Sequence, residues 1–145
     1  MPVTRRAALL GALAACCLSM ACIGSASAQD PRATTAQKEA RSWLELTDRG
    51  DAQASWNAAG KQFQNAITAE KWGDALKQVR PPLGALSERA LMSTKFTNSF
   101  PGAPDGDYAL LVFRSSFAKK TDSSETVTLQ READGAWRVI GYFIR

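Results

Sequence analysis

The amino-acid sequence predicts an α+β domain in which three helices precede a bent four-stranded antiparallel sheet. Between residues 35 and 80, apolar residues recur every three or four positions, which is the spacing of a helix with one buried face. Past Gly84 the spacing changes to every second residue, which is the period of a half-buried strand. Because helices and strands are grouped rather than alternating, we expect the helices to pack together on one face of the sheet.

The first 28 residues have the order of a secretory signal peptide. Arg5 and Arg6 precede an apolar run over residues 7–23, and Ala26-Ser27-Ala28 offers the small residues that a signal peptidase prefers. The run is too short and too poor in bulky residues for a membrane span. Cleavage after Ala28 leaves 117 of the 145 residues, which we divide into a polar leader over 29–34 and a single domain over 35–145.

Two alternatives for the export route stay open. Residues 4–9 resemble a twin-arginine motif, although Ala8 stands where a bulkier apolar residue is usual. Residues 13–16 resemble a lipobox, which would anchor the protein through a lipid on Cys16. Cutting there leaves only a short apolar region, so we favour cleavage after Ala28.

The residue types that the sequence lacks restrict its chemistry. All three cysteines (Cys16, Cys17 and Cys22) lie in the signal, and the chain contains no histidine. The mature domain is therefore predicted to have no disulfide, thiol nucleophile or histidine base, and we expect no metal and no cofactor. Removing Arg5 and Arg6 lowers the formal net charge from +4 to +2, and acids and bases are interspersed, which argues against nucleic-acid binding.

The first two helices are predicted from their capping residues. One starts at Thr35 and ends before Gly50, a residue that supplies the left-handed position after a helix. The next follows Asp51, a good N-terminal cap, and continues to residue 67. Gly60 interrupts this second helix, at a cost of about 1 kcal/mol relative to alanine.

A third helix follows Thr68 and is predicted to end at Arg80, because a proline disfavours helical backbone at the residue before it and Pro81-Pro82 come next. The apolar stripes of the three helices are Ala36, Ala40, Trp43 and Leu44, then Ala52, Trp56, Ala59, Phe63, Ala66 and Ile67, then Trp72, Ala75, Leu76 and Val79.

Four strands are predicted from residues 89–96, 108–117, 126–130 and 137–144, with Asp134-Gly135 as a hairpin signal before the last. The second and fourth strands are apolar on both faces, so we expect both to be central and covered on both sides. The third is apolar on one face only. In the first strand, Ala90, Met92, Thr94 and Phe96 alternate with Arg89, Leu91, Ser93 and Lys95.

A strongly bent sheet reconciles these patterns, because its concave face encloses a cavity while its convex face stays in contact with water. This is the cone-like plan of the cystatin-like and nuclear-transport-factor-2-like superfold. Fold class alone does not assign a function.

Five stretches resemble a bacterial family known as domain of unknown function 4019. They are "WLELTDRGDAQASW" (43–56), "WGDALKQVRPPLG" (72–84), "FPGAPDGDYALLVFRSSFAKK" (100–120), "ETVTL" (125–129) and "DGAWRVIGYFIR" (134–145). The resemblance implies an exported bacterial domain, periplasmic or secreted in a Gram-negative organism. It implies no activity and no catalytic residues, because the family has none assigned.

Three residues are candidates for ligand binding. Arg114 lies mid-strand on an otherwise apolar face, where it either binds an anionic ligand or pairs with an acid, and we favour the pair. Arg80 is a second cation, whose alternative role is to complement the C-terminal end of its helix. Tyr142 lies on an apolar face of the last strand and is expected to line the same cavity.

Two conspicuous features are interpreted as structural. "PGAPDGDY" (101–108) contains only two acids, Asp105 and Asp107, and its residue types suit a turn better than a calcium loop. The four tryptophans lie at the phases expected for the core, so packing is favoured over ligand stacking.

The predicted function is a non-catalytic, exported module that binds a small molecule or an envelope protein, with a homodimer through a sheet face as a further possibility. The alternative is a cofactor-independent enzyme that uses carboxylates such as Asp74 or Glu125 as acid and base. No carboxylate pair stands at an evident spacing, so we favour binding.

Overall fold

The computed structural model describes residues 30–145, so the predictions for the signal and its cysteines lie outside the described residues. This part of the chain confirms an α+β fold in which helices precede an antiparallel sheet. None of its helices has the length and apolarity needed to cross a membrane. The elements are α1 (Pro31–Asp48), α2 (Ala52–Ala58), α3 (Lys61–Ala66), α4 (Ala69–Leu83), β1 (Leu86–Thr97), β2 (Tyr108–Phe117), β3 (Lys120–Arg131) and β4 (Trp137–Ile144).

Helix α1 begins at Pro31 rather than at Thr35, so the end of the predicted polar leader is helical. Asp30 caps the helix by accepting a hydrogen bond from the backbone N–H of Arg32 at 2.9 Å. Proline suits the first helical position because its missing N–H would be unpaired there. Gly50 follows the helix at a φ of 71°, as predicted. The predicted stripe of Ala36, Ala40, Trp43 and Leu44 is buried.

The second predicted helix is two helices, α2 and α3, separated by extended backbone at Ala59 and Gly60. The N–H of Gly60 donates to the carbonyl of Val139 at 2.7 Å, which ties this break to the free edge of β4. A Cβ at residue 60 would lie 2.9 Å from Oε1 of Glu132 and 3.1 Å from the side chain of Ile140. Gly60 therefore permits its own backbone to approach β4 closely. This contact separates α2 from α3 where the sequence predicted one helix.

Helix α4 continues through Pro81 and Pro82 to Leu83, so the prediction that the prolines end it at Arg80 is wrong. Each proline removes one backbone donor, and the exposed last turn allows water to pair with the carbonyls left over. Gly84 follows at a φ of 76°.

The inward stripe of α4 also differs from the predicted one. Trp72, Leu76 and Arg80 are buried at a spacing of four residues, whereas Val79 is 39% exposed. The charged residue thus takes the inward position that the apolar pattern assigned to Val79. This placement brings Arg80 to the sheet.

The strands pair in chain order, β1-β2-β3-β4, and every pair is antiparallel. The inner face, defined by Leu111, Phe113, Val127 and Leu129, belongs to one core cluster with residues of the helices. The prediction that β4 is central is wrong, because β4 is an edge strand and its Phe143 is 59% exposed. We call the opposite side of the sheet the outer face.

A bulge in β1 changes which residues point inward. Leu91 pairs with Phe113 and Ser93 pairs with Val112, so Met92 is an extra residue without a partner. Arg89 and Leu91 therefore share the inner face with Thr94 and Phe96, and the unbroken alternation predicted from the sequence is wrong. The inward partners across β2 are Ser115, Phe113, Leu111 and Ala109.

The predicted hairpin joins β3 to β4, with Gly135 at a φ of 83°. The guanidinium of Arg138 donates to both carboxylate oxygens of Asp134, at 2.9 and 2.7 Å. These hydrogen bonds, with one from the backbone N–H of Ala136, lower the pKa of Asp134 to about 2. The turn is therefore fixed by its own side chains.

Candidate functional site

A cluster of six polar side chains lies between the helices and the inner face of the sheet. It draws on two helices and all four strands, so every major element except α2 and α3 contributes. We call it the polar cluster, and its members are Asp48, Arg80, Arg89, Ser115, Glu125 and Tyr142.

Glu125 is the centre of the polar cluster and is fully buried. Arg89 donates to both of its oxygens, from Nε to Oε2 at 2.7 Å and from Nη2 to Oε1 at 3.1 Å. Tyr142 donates to Oε1 at 2.6 Å, Ser115 donates to Oε2, and Arg80 Nη1 lies 3.5 Å from Oε1. Burying a carboxylate is costly unless its oxygens are paired, and here both oxygens are.

Asp48, at the end of α1, connects the two arginines a second time. Arg89 donates to its Oδ2 at 2.7 Å and to its Oδ1 at 2.9 Å, and Arg80 also donates to Oδ1. The polar cluster therefore holds two guanidinium groups and two carboxylates, and their formal charges cancel. The guanidinium of Arg80 also lies 4.7 Å from the ring centre of Phe117, which adds a cation–π contact.

The surroundings of Arg89 and Tyr142 in the polar cluster keep both side chains protonated. Burial lowers the pKa of Arg89, but its hydrogen bonds to Asp48 and Glu125 outweigh burial and raise the pKa above its usual value. Burial raises the pKa of Tyr142, and the adjacent negative charge of Glu125 raises it further. Neither group is suited to act as a base near neutral pH, because both hold their protons tightly.

Aromatic rings close the polar cluster on the helix side. The ring of Tyr142 lies 5.4 Å from that of Trp43 and 6.4 Å from that of Trp72. Both indole N–H groups bond to Ser55, one to its carbonyl at 2.8 Å and the other to its hydroxyl at 2.9 Å. These two tryptophans belong to the core cluster, as does Trp137, while Trp56 is partly buried against it, so the predicted packing role is confirmed.

One end of the polar cluster reaches the surface at a cleft of about 300 Å³. The cleft lies between the α1–α2 connection and α4, and Asp48 and Arg80 line it. Two further cations, Arg49 and Lys77, also line it and are exposed. Its apolar lining comes from Ala52, Leu76, Pro81 and Ala85, with Gly50, Gly73 and Gly84 completing it.

Two larger grooves, of about 420 and 660 Å³, flank the β3–β4 hairpin. Arg138 lines both, and its guanidinium is already paired with Asp134 and with Glu132. These grooves do not reach the polar cluster. The cleft is therefore the better candidate for a specific site.

The three candidate residues from the sequence separate into two regions. Arg80 and Tyr142 meet at Glu125, but Arg114 lies on the outer face, and its side chain is 67% exposed. There Arg114 Nε lies 3.3 Å from Oδ1 of Asp122, so the acid pairing that the sequence favoured is present. Arg114 and Tyr142 do not share a cavity. A ligand-binding role for the three residues stays a prediction.

Sequence reasoning missed Asp48, Arg89 and Ser115. The alternation predicted from the sequence put Arg89 and Phe96 on different faces of β1. Only the bulge at Met92 brings both side chains to the inner face. Asp48 belongs to none of the apolar stripes predicted for the helices, so nothing in the sequence marked it as a buried residue. A bulge of this kind has no sequence signature comparable to a glycine turn, because Leu91 and Met92 are ordinary strand residues.

The loop "PGAPDGDY" is a corner, as predicted. Gly102 has a φ of 79°, and the N–H of Gly106 donates to the carbonyl of Asn98 at 2.9 Å, which closes the loop. Tyr108 is fully buried, and its hydroxyl donates to the carbonyl of Pro104. The residue types of this loop therefore serve the turn itself.

Comparison with curated proteins finds no match. A family model described as "Protein of unknown function (DUF4019)" matches residues 39–142, a range that includes all six members of the polar cluster. The match covers most of the chain and both of its layers. This chain therefore belongs to the DUF4019 family.

Proposed function

We propose that the protein is an exported, non-catalytic module of the bacterial cell envelope that binds a small anionic molecule in the cleft. The observation that carries this proposal is the cleft itself, where two exposed cations, Arg49 and Lys77, stand above the paired Asp48 and Arg80. Support for export comes from the arginine, apolar and small-residue order of residues 5–28.

The geometry favours binding over the alternative of acid–base catalysis. Glu125 is fully buried and bonded by four side chains, so it has no oxygen free for a substrate. Asp74, the other candidate carboxylate, is exposed on α4 and is not among the partners of Glu125. A general acid or base must reach the proton that it transfers, and neither arrangement provides such a pair.

The cleft also limits the ligand. At roughly 30 Å³ for each water-sized group, its volume accommodates a molecule of about ten non-hydrogen atoms. The cations at the rim favour a negative charge, and Leu76, Ala52 and Pro81 favour a short apolar portion. A short-chain carboxylate has both features.

Binding is tested by following backbone amide signals in NMR while butyrate is added to the protein. We expect shifts at Gly73, Leu76 and Gly84 with butyrate, weaker shifts with inorganic phosphate, and none with butylamine, which has the opposite charge.

Lys77→Ala should raise the dissociation constant for butyrate by up to about fivefold, because an exposed ion pair contributes about 1 kcal/mol at most. Lys38→Ala, a matched change of an exposed lysine on α1, should leave it unchanged. Equal binding of butylamine, or shifts confined to other regions, would contradict the proposal.

Export is tested by intact-mass measurement of the protein purified from its native host. The expected mass is that of a chain beginning at Gln29, and native conditions would retain any small molecule in the cleft for identification. A lipid on Cys16 or a chain beginning at Met1 would show that the assigned processing is wrong.

A further inference from the structure

We propose that two copies of this chain associate face to face through the outer face of the sheet. This inference is independent of the cleft, which lies on the helix side. The surface involved, which we call the outer patch, comprises Leu110, Val112, Thr126, Thr128, Gly141 and Phe143. None of these six residues is charged.

The outer patch crosses three neighbouring strands. Val112 pairs with Thr126, and Thr126 pairs with Phe143, so the three form one row across β2, β3 and β4. Phe143 is 59% exposed, and Met92, in the bulge next to the partner of Val112, is 61% exposed. Among the described residues, the large apolar side chains that are this exposed both lie along this row. Exposed apolar side chains grouped in one patch indicate an interaction surface.

The charges at the border of the outer patch indicate what covers it. Arg114 and Asp122 lie beyond one side of the row, 3.3 Å apart, with side chains that are 67% and 77% exposed. A two-fold interface brings the same surface against itself, so it requires a border that is complementary to itself. A pair of opposite charges meets this requirement, because each arginine can face the aspartate of the other copy. On the other side of the row, the exposed Lys95 pairs with Leu110, so the border carries both signs. An anionic lipid surface would instead favour a border of cations alone.

The edges of the sheet are less suited to association than its face. The edge of β4 is occupied where Gly60 bonds to Val139, and the edge strand β1 carries a bulge and Lys95. Bulges and lysines are common protections of an edge against pairing with another strand. Packing of two sheets through their faces leaves both edges as they are.

Sedimentation velocity of the full chain over a wide range of protein concentration tests the association. We expect a reversible dimer that Phe143→Glu weakens by about tenfold or more, because the change buries an unpaired charge. Val79→Glu is the matched control, since Val79 is also an exposed large apolar residue but lies on α4. It should leave the dimer unchanged.

A charge exchange identifies the contact between copies. Arg114→Asp and Asp122→Arg should each weaken the homodimer, because like charges would then meet at the border. Mixing the two variants should restore association as a heterodimer, since each copy then offers the charge that the other needs. Restoration on mixing cannot arise from a pair within one copy.

A monomer at every concentration would overturn the proposal. So would a dimer that Phe143→Glu leaves intact while Val79→Glu disrupts it, because the helix side would then form the interface. Binding of anionic vesicles through Phe143 without self-association would also overturn it, in favour of a membrane surface.

Discussion

Arg89 and Arg114 are neighbours on adjacent strands but lie on opposite faces of one sheet. Arg89 pairs in register with Ser115, and Arg114 pairs with Ala90, so one step along each strand separates them. The side chain of Arg89 is 9% exposed and bonds to two carboxylates, whereas that of Arg114 is 67% exposed and bonds to one. The same residue type is therefore part of the scaffold on one face and part of the surface on the other.

The comparison shows that the surroundings decide what an ion pair contributes. Removing one member of a buried set leaves an unpaired charge with no water to solvate it, which is strongly destabilising. Removing one member of an exposed pair lets water take its place. The three predictions below test this difference, and they run from the largest expected effect to the smallest.

Arg89→Met should lower the free energy of unfolding by about 3–5 kcal/mol, because it leaves Asp48 and Glu125 with only Arg80 between them. Denaturant-induced unfolding measures the change. The companion variant that also carries Glu125→Met restores the balance of charge and should recover part of the loss. A loss below about 1 kcal/mol for the single variant, as for an exposed pair, would show that the polar cluster is not part of the scaffold.

Tyr142→Phe should lower the free energy of unfolding by about 1.5–3 kcal/mol, the range for a hydrogen bond to a charged group. It should also change the dependence on pH. Because the pKa of Tyr142 is raised in the folded state, its contribution is present below the ordinary tyrosine pKa of 10.0 and is lost as the pH rises above it.

Unfolding measured at a series of alkaline pH values separates this effect from simple packing. The unaltered protein should lose stability more steeply above pH 10 than Tyr142→Phe does. Parallel curves would mean that the hydroxyl ionises as freely in the folded chain as in the unfolded one.

Arg114→Met should change the free energy of unfolding by less than about 1 kcal/mol, because its partner Asp122 stays in water. The measurement belongs at low protein concentration, where association through the outer patch does not contribute. Added salt should remove what effect there is, since it screens exposed charges. An effect as large as that of Arg89→Met would abolish the distinction between the two faces.

The correct and incorrect predictions have different physical origins. Helices and strands were recognised because hydrophobic periodicity and capping residues act over a few positions, as at Asp51 and Gly50. The second helix was not recognised as two, because the close contact at Gly60 is made by residues more than seventy positions away, such as Glu132. The prolines after Arg80 were overinterpreted, since a helix tolerates them in an exposed last turn.

The sequence by itself determined the fold class and the family, because local periodicity and the order of motifs are written along the chain. Tertiary structure alone decided where the charges meet. Arg89 points inward only because a bulge at Met92 shifts the phase of β1, and Glu125 acquires its partners only when the four strands and α4 are assembled. The packing of helices on the sheet joins residues that are far apart in sequence, so no local pattern could have placed Asp48 beside Arg80 and Arg89.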